Sequence, residues 1–157
     1  MKSFLRFIDN IEQYIITILL PLMCIVVLFA TFMRYTELLL IPWGEELARY
    51  LMVWIVFLGI AAGAKNNRHF GVEVFVRALP LRAQKYFLIF RTLVISAFLI
   101  FVIYLSLKLM GLQMKMGQTS PSLEIPIWLA YLAVPVGAGL MIIRNIQFTV
   151  NTFKNGN

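Results

Sequence analysis

The chain has 157 residues, of which 61% are hydrophobic and 13% are charged, and its mean hydropathy is +0.86. Typical soluble domains carry about 25% charged residues, so the composition excludes an ordinary soluble domain and indicates an integral membrane protein. The formal net charge is +7. A nucleic-acid site would need basic residues clustered on a folded polar surface, which this chain lacks, so we attribute the charge to membrane topology and attraction to anionic lipid.

Apolar segments long enough to span a bilayer, which takes about 20 residues, recur along the chain. They cover residues 11–33, 42–64, 86–107 and 125–143. The sequence therefore predicts an all-α integral membrane protein, with four transmembrane helices in a single membrane domain over residues 1–157. Cys24 is the only cysteine and His69 the only histidine, which leaves no metal-ligand set. No metal or cofactor is expected.

The second segment opens with PWGEELAR, which places two carboxylates and a guanidinium at the mouth of an apolar helix. Arg49 follows Glu45 by four residues and Glu46 by three, so this spacing favours ion pairs within the helix. We expect these three residues to form a structural charge cluster or a subunit interface. Trp43 and Trp128 start the second and fourth segments and are predicted to be anchors at the membrane interface.

Small residues mark candidate helix-packing positions. Gly59 and Gly63 have GxxxG spacing within a patch of glycines and alanines, and Gly137 and Gly139 lie in the middle of the fourth segment. Helices in a membrane associate through close backbone approach. Packing within the chain is favoured over contact with another chain.

The connection between the second and third segments is amphipathic. His69, Glu73 and Arg77 recur every four residues, which predicts a short interfacial helix over residues 68–79 on the cytoplasmic side. A strand is the alternative, because valines alternate at 72, 74 and 76, but its backbone would be unpaired at a membrane surface. The residues expected to contact the membrane surface are Arg68, His69, Arg77, Arg82 and Lys85.

Lysine and arginine are distributed unequally between the two sides of the predicted bundle. The central connection, the N-terminal end and the C-terminal end are basic, whereas few basic residues fall in the other connections. The positive-inside rule therefore predicts that both termini and the central amphipathic segment are cytoplasmic.

Three stretches spread over nearly the whole chain carry a family resemblance: IPWGEELARYLMVWIVFLG, AAGAKNNRHFGVEVF, and SLEIPIWLAYLAVPVG leading to MIIRN. Together they resemble the small, Q-type (DctQ-like) membrane subunit of tripartite ATP-independent periplasmic (TRAP) transporters. The resemblance implies a bacterial inner-membrane subunit that associates with a large membrane subunit and a periplasmic substrate-binding protein. It also implies that the large subunit carries the sodium and substrate sites, that the substrate is an organic acid such as a C4-dicarboxylate or sialic acid, and that the small subunit extends a static scaffold.

The residues themselves agree with a scaffold, since the third and fourth apolar spans contain no acid that could bind a coupling ion. An alternative is an autonomous four-helix efflux transporter that exchanges protons for a cationic drug through Glu45 or Glu46. Arg49 opposes this alternative, because a nearby guanidinium favours ionised carboxylates and repels a cationic substrate. No nucleophile is paired with a base, so we do not expect an enzyme.

Overall fold

The structure is a computed structural model that describes residues 11–36, 42–65 and 81–155. The predicted interfacial helix over 68–79, with Arg68, His69 and Arg77, lies outside the described residues. The helices are α1 (Ile11–Tyr35), α2 (Pro42–Lys65), α3 (Leu81–Met116), α4 (Trp128–Tyr131) and α5 (Ala133–Asn155).

The described part of the chain is helical throughout its long elements and contains no named strand. It has 4 helical segments that are long and apolar enough to cross a membrane, with α4 and α5 together making the last of them. The prediction of an all-α membrane protein with four transmembrane helices is confirmed.

Two helices differ in length from the apolar spans that predicted them. α3 begins at Leu81 and ends at Met116, and its 36 residues extend about 54 Å, which exceeds the roughly 30 Å of a bilayer's hydrocarbon. The fourth segment becomes helical only at Trp128, and its helix continues to Asn155 instead of ending at 143. Hydropathy reports which residues suit lipid, and a polar helix can continue beyond that span when no proline or glycine stops it.

The helices stand in a row in the order α1, α2, α5, α3. α1 packs on α2, α2 packs on α5 and α5 packs on α3, and the described residues of α1 make no close backbone contact with α3. The buried core is correspondingly thin. It joins Ala61 and Ala64 of α2, Leu99 of α3, and Ala138 and Met141 of α5.

Close packing of α2 against α5 depends on one glycine. A Cβ built on Gly137 would lie 2.6 Å from the Phe57 Cβ and 2.8 Å from the Phe57 carbonyl oxygen. At Gly59, Gly63 and Gly139 an added Cβ would meet nothing within 4 Å among the described residues, so the predicted packing role of these three glycines stays a prediction. Two alanines of the small-residue patch, Ala61 and Ala64, lie in the buried core.

The outer helices of the row expose large apolar side chains. Ile18 and Leu28 of α1 are 68% and 69% exposed, and Phe90 and Phe98 of α3 are 65% and 64% exposed. Apolar surface of this extent requires lipid or another membrane protein to cover it.

Candidate functional site

The charged cluster at the start of α2 has different partners from those that its spacing predicted. Nη1 of Arg34, in the last turn of α1, donates a hydrogen bond to Oε1 of Glu45 at 2.8 Å. Arg49 instead donates from Nε to the backbone carbonyl of Glu45 at 3.4 Å. The hairpin of α1 and α2 thus brings a cation at one helix's C-terminal end beside an acid at the next helix's N-terminal end, which suits both helix dipoles.

Glu46 holds a segment that is distant in sequence. Its Oε2 accepts a hydrogen bond from the backbone N–H of Ser122 at 3.0 Å, across a separation of 76 residues. Its Oε1 accepts one from the Tyr50 hydroxyl at 3.3 Å, and next to Ser122 the Leu123 amide donates to the Ser120 hydroxyl at 3.2 Å. We call Glu46 with Ser120, Ser122 and Leu123 the Glu46 clamp.

The loop in this clamp, residues 117–127, is compact. The Ser120 amide donates to the Ile125 carbonyl at 2.8 Å, and the Ser120 carbonyl accepts from the Glu124 amide at 3.0 Å. Gly117 ends α3 with a φ of 60°, a conformation that glycine adopts without strain. A loop closed by its own backbone hydrogen bonds presents a defined surface beside α2.

A second charged arrangement lies at the opposite end of α1. Nε of Arg144 donates to Oε1 of Glu12 at 2.8 Å, and Nη2 of Arg144 donates to Oε2 of Glu12 at 3.0 Å. The two side chains are 7% and 1% exposed, and Gln147 accepts a further bond from Nη1 of Arg144 at 2.9 Å. This pair ties α1 to α5, whose backbones are otherwise not in close contact.

Neither Glu12 nor Arg144 is among the site residues predicted from the sequence, and Arg144 lies in the middle of α5. Opposite charges near the same predicted end of the first and fourth segments were the available signal.

The remaining predicted site residues have varied positions. Trp43 is 43% exposed and Trp128, at the start of α4, is partly buried. Arg82 and Lys85 lie in the first turns of α3. Within the described ranges, no three histidine, cysteine or carboxylate side chains converge as a metal site. The arrangement consists of ion pairs and hydrogen bonds that hold helices and a loop together.

Comparison with protein families gives a match over most of the chain. Residues 23–155 match the family model described as tripartite ATP-independent periplasmic transporters, DctQ component. The match includes α2, α3, α4 and α5 and both residues of the hydrogen bond between Glu46 and Ser122.

Similar proteins come from several bacteria. The isethionate TRAP transporter permease protein DctMQ of Oleidesulfovibrio alaskensis is 32% identical over 78% of this chain and 20% of that protein. The C4-dicarboxylate TRAP transporter small permease protein DctQ of Rhodobacter capsulatus is 30% identical over 73% of this chain and 50% of that protein. The sialic acid TRAP transporter small permease protein SiaQ of Vibrio cholerae is 28% identical over 98% of this chain and 88% of that protein. The matched region of this chain thus covers about a fifth of the length of the first relative and half of the length of the second.

Proposed function

Because the chain belongs to the DctQ component family of tripartite ATP-independent periplasmic transporters, we propose that it is the small membrane subunit of such a transporter and serves as a scaffold for a large membrane subunit. It is a transporter component and not an enzyme. In this proposal the large subunit carries out transport, coupled to sodium, and a periplasmic binding protein delivers the substrate.

The open row of helices is the observation that carries this proposal. α1 and α3 expose most of their apolar circumference, and the core between the helices is small. A subunit that moved substrate alone would need polar groups around a path through its interior. Among the residues that the structure describes, the buried charges of Glu12 and Arg144 are instead engaged with each other, which suits a structural role.

A large membrane partner also agrees with the comparisons. The matching region is only 20% of the DctMQ permease of Oleidesulfovibrio alaskensis, which supports a small component that works beside a larger one. In our proposal the chain lies in the bacterial inner membrane with both termini cytoplasmic, because of the basic bias of those ends.

The proposed substrate is an organic acid, of the C4-dicarboxylate or sialic acid class. The relatives' names specify isethionate, C4-dicarboxylate and sialic acid, which differ in size and acidic group. This variety supports selection of the substrate by the large subunit and the binding protein.

Co-expression with the large subunit tests the proposal. We expect the tagged small subunit to recover the large subunit, and vesicles to take up substrate only when both subunits and the binding protein are present. Leu28→Gln on α1 and Phe98→Gln on α3 should show which exposed face makes the contact, because a polar group facing an apolar partner weakens it.

The efflux alternative gives the opposite pattern. Glu45→Gln or Glu46→Gln would abolish flux while the amount of complex stayed normal, and the lone subunit would catalyse drug-dependent proton flux. Either result would contradict the scaffold role.

A further inference from the structure

A groove between α2 and the α4–α5 segment has the character of an amphiphile site. Its volume is about 290 Å³. Arg49 and two tyrosines supply its polar groups, and the rest of its lining is aliphatic. The aliphatic residues are Val53, Ile127, Ala130 and Val134, and the tyrosines are Tyr50 and Tyr131.

Arg49 offers unused donors at this groove. Its side chain is exposed, and its Nε donates to the Glu45 carbonyl four residues earlier, which draws the guanidinium toward the N-terminal end of α2. Within the part of the chain that the structure describes, no acceptor binds the two terminal amino groups of Arg49. A guanidinium with both terminal amino groups available can bind an oxyanion through two parallel hydrogen bonds.

The aliphatic lining lies on both sides of the guanidinium along the helices. Val53 is one helical turn further along α2 than Arg49, and Val134 is in the first turn of α5. Trp43 and Trp128 begin their helices at the same end, where aromatic residues meet phospholipid headgroups. The groove therefore extends from the end where Ile127 and Ala130 flank Trp128, past Arg49, to Val53 on the hydrocarbon side.

We propose that this groove binds a phospholipid, with the headgroup phosphate on Arg49 and the first part of an acyl chain against the aliphatic residues. A free anion would gain nothing from those walls, and a cationic ligand would be repelled by Arg49. Another groove, of about 270 Å³ between α2, α3 and α5, has no polar residue in its lining and so offers a headgroup no partner. The proposal does not depend on the transport function.

Native mass spectrometry of the delipidated, detergent-solubilised chain tests it with defined probes. These are dioleoylphosphatidylglycerol, diolein, which has the same chains without phosphate, and glycerol 3-phosphate, which has the phosphate without chains. We expect only the phospholipid to be retained. Arg49→Gln should weaken its binding about tenfold, the value of hydrogen bonds to a charged group, and Ala130→Phe should also weaken it by filling the groove. Arg49→Lys keeps the positive charge but loses the two parallel donors of the guanidinium, so its phospholipid affinity should lie between those of the parent and Arg49→Gln.

Arg34→Gln is the matched control, because Arg34 is an exposed arginine at the same end but is paired with Glu45. Helical circular dichroism checks that every variant is folded. Equal losses of phospholipid binding in Arg34→Gln and Arg49→Gln would show that any positive charge at this end of the helices attracts the lipid, and would overturn the proposed site. Equal retention of glycerol 3-phosphate, or no effect of Ala130→Phe, would show that the aliphatic lining does not contribute and would contradict the assignment of a phospholipid as the ligand. Lost recovery of the large subunit in Arg49→Gln with unchanged lipid binding would assign the guanidinium to a protein carboxylate instead.

Discussion

Glu12 and Arg144 illustrate how much a single charge can matter inside this protein. Both side chains are almost fully buried, and two hydrogen bonds join them. Removing one partner leaves the other charge without compensation in an environment that cannot solvate it, which costs about 3 to 5 kcal/mol.

We predict that Arg144→Leu or Glu12→Leu alone lowers the apparent melting temperature of the purified protein in detergent, whereas the double variant is closer to the parent. The double variant removes both buried charges together, which is often nearly neutral. A double-mutant cycle built from the melting curves measures the energetic coupling between Glu12 and Arg144. Additive losses would show that the two charges do not depend on each other.

Glu46 holds the 117–127 loop through the Ser122 amide, so we expect its substitution to change the local stability of that loop. Glu46→Gln keeps the side-chain size but replaces charge-assisted hydrogen bonds by weaker neutral ones. We predict several-fold faster hydrogen exchange at the amide of Ser122, which donates to Glu46, while α5 exchanges as before. Glu45→Gln is the control, because Glu45 pairs with Arg34 and does not bind the loop. Unchanged exchange in Glu46→Gln would mean that the loop keeps its shape through its own backbone bonds.

At the scale of helices, contact between α2 and α5 is limited by backbone and not by flexible side chains. The atoms nearest a Cβ at Gly137 are the Cβ, carbonyl oxygen and carbonyl carbon of Phe57, and none of them can rotate away. The helices must separate to admit a methyl group.

Gly137→Ala is therefore predicted to destabilise the protein by about 1 to 3 kcal/mol, the usual range for overpacking. Gly139→Ala, two residues away with nothing within 4 Å of its Cβ, should be neutral or slightly stabilising, because alanine favours helix over glycine. Phe57→Ala should not rescue Gly137→Ala, since it retains the Cβ and the backbone. Thermal unfolding in one detergent compares the variants, and equal behaviour of the two alanine variants would contradict the close approach.

α3 and α5 are also joined by polar contacts. The hydroxyls of Thr92 and Thr149 share a hydrogen bond at 2.8 Å, and Thr149 also donates to the carbonyl of Asn145 at 3.0 Å. A hydrogen bond between helices has little competition from water in a membrane. It holds α3 to its one long neighbour in the row.

For the molecule as a whole, the row arrangement places two nearly uncovered helices at its edges. Such an arrangement has little shared core. Its stability depends more on the close approach of α2 and α5, on the ion pair of Glu12 and Arg144, and on the lipid or protein that covers the row. This suits a subunit whose native surroundings are lipid and a large partner.

Topology is the prediction that concerns the whole molecule. A reporter active only in the cytoplasm should work when fused at either terminus or near Asn67, because basic residues are concentrated in those regions and are retained on the cytoplasmic side. Activity of a periplasmic reporter at Asn67 would reverse the assigned orientation.

The sequence by itself determined the fold class and the number of crossings. In lipid, a backbone must satisfy its hydrogen bonds internally, so apolar segments of sufficient length can only be helices, and hydropathy locates them. Helix ends were less predictable, as α3 and α5 show. A polar residue marks where a segment leaves the lipid, but the helix itself can continue into water beyond that point. The resemblance to the DctQ family could also be recognised from motifs along the chain.

The tertiary structure alone decided which charges meet. Spacing along one helix favoured pairing of Arg49 with Glu45 and Glu46, but it contains no information about neighbouring helices. Arg34 pairs with Glu45, the 117–127 loop binds Glu46, and Arg144 pairs with Glu12 across 132 residues. The first contact joins neighbours in the row, whereas Glu12 and Arg144 join α1 and α5, which are not neighbours in it. The order of the helices puts Gly137 against Phe57 and leaves Gly59 and Gly63 open, because residue type shows where helices can approach but not which faces do.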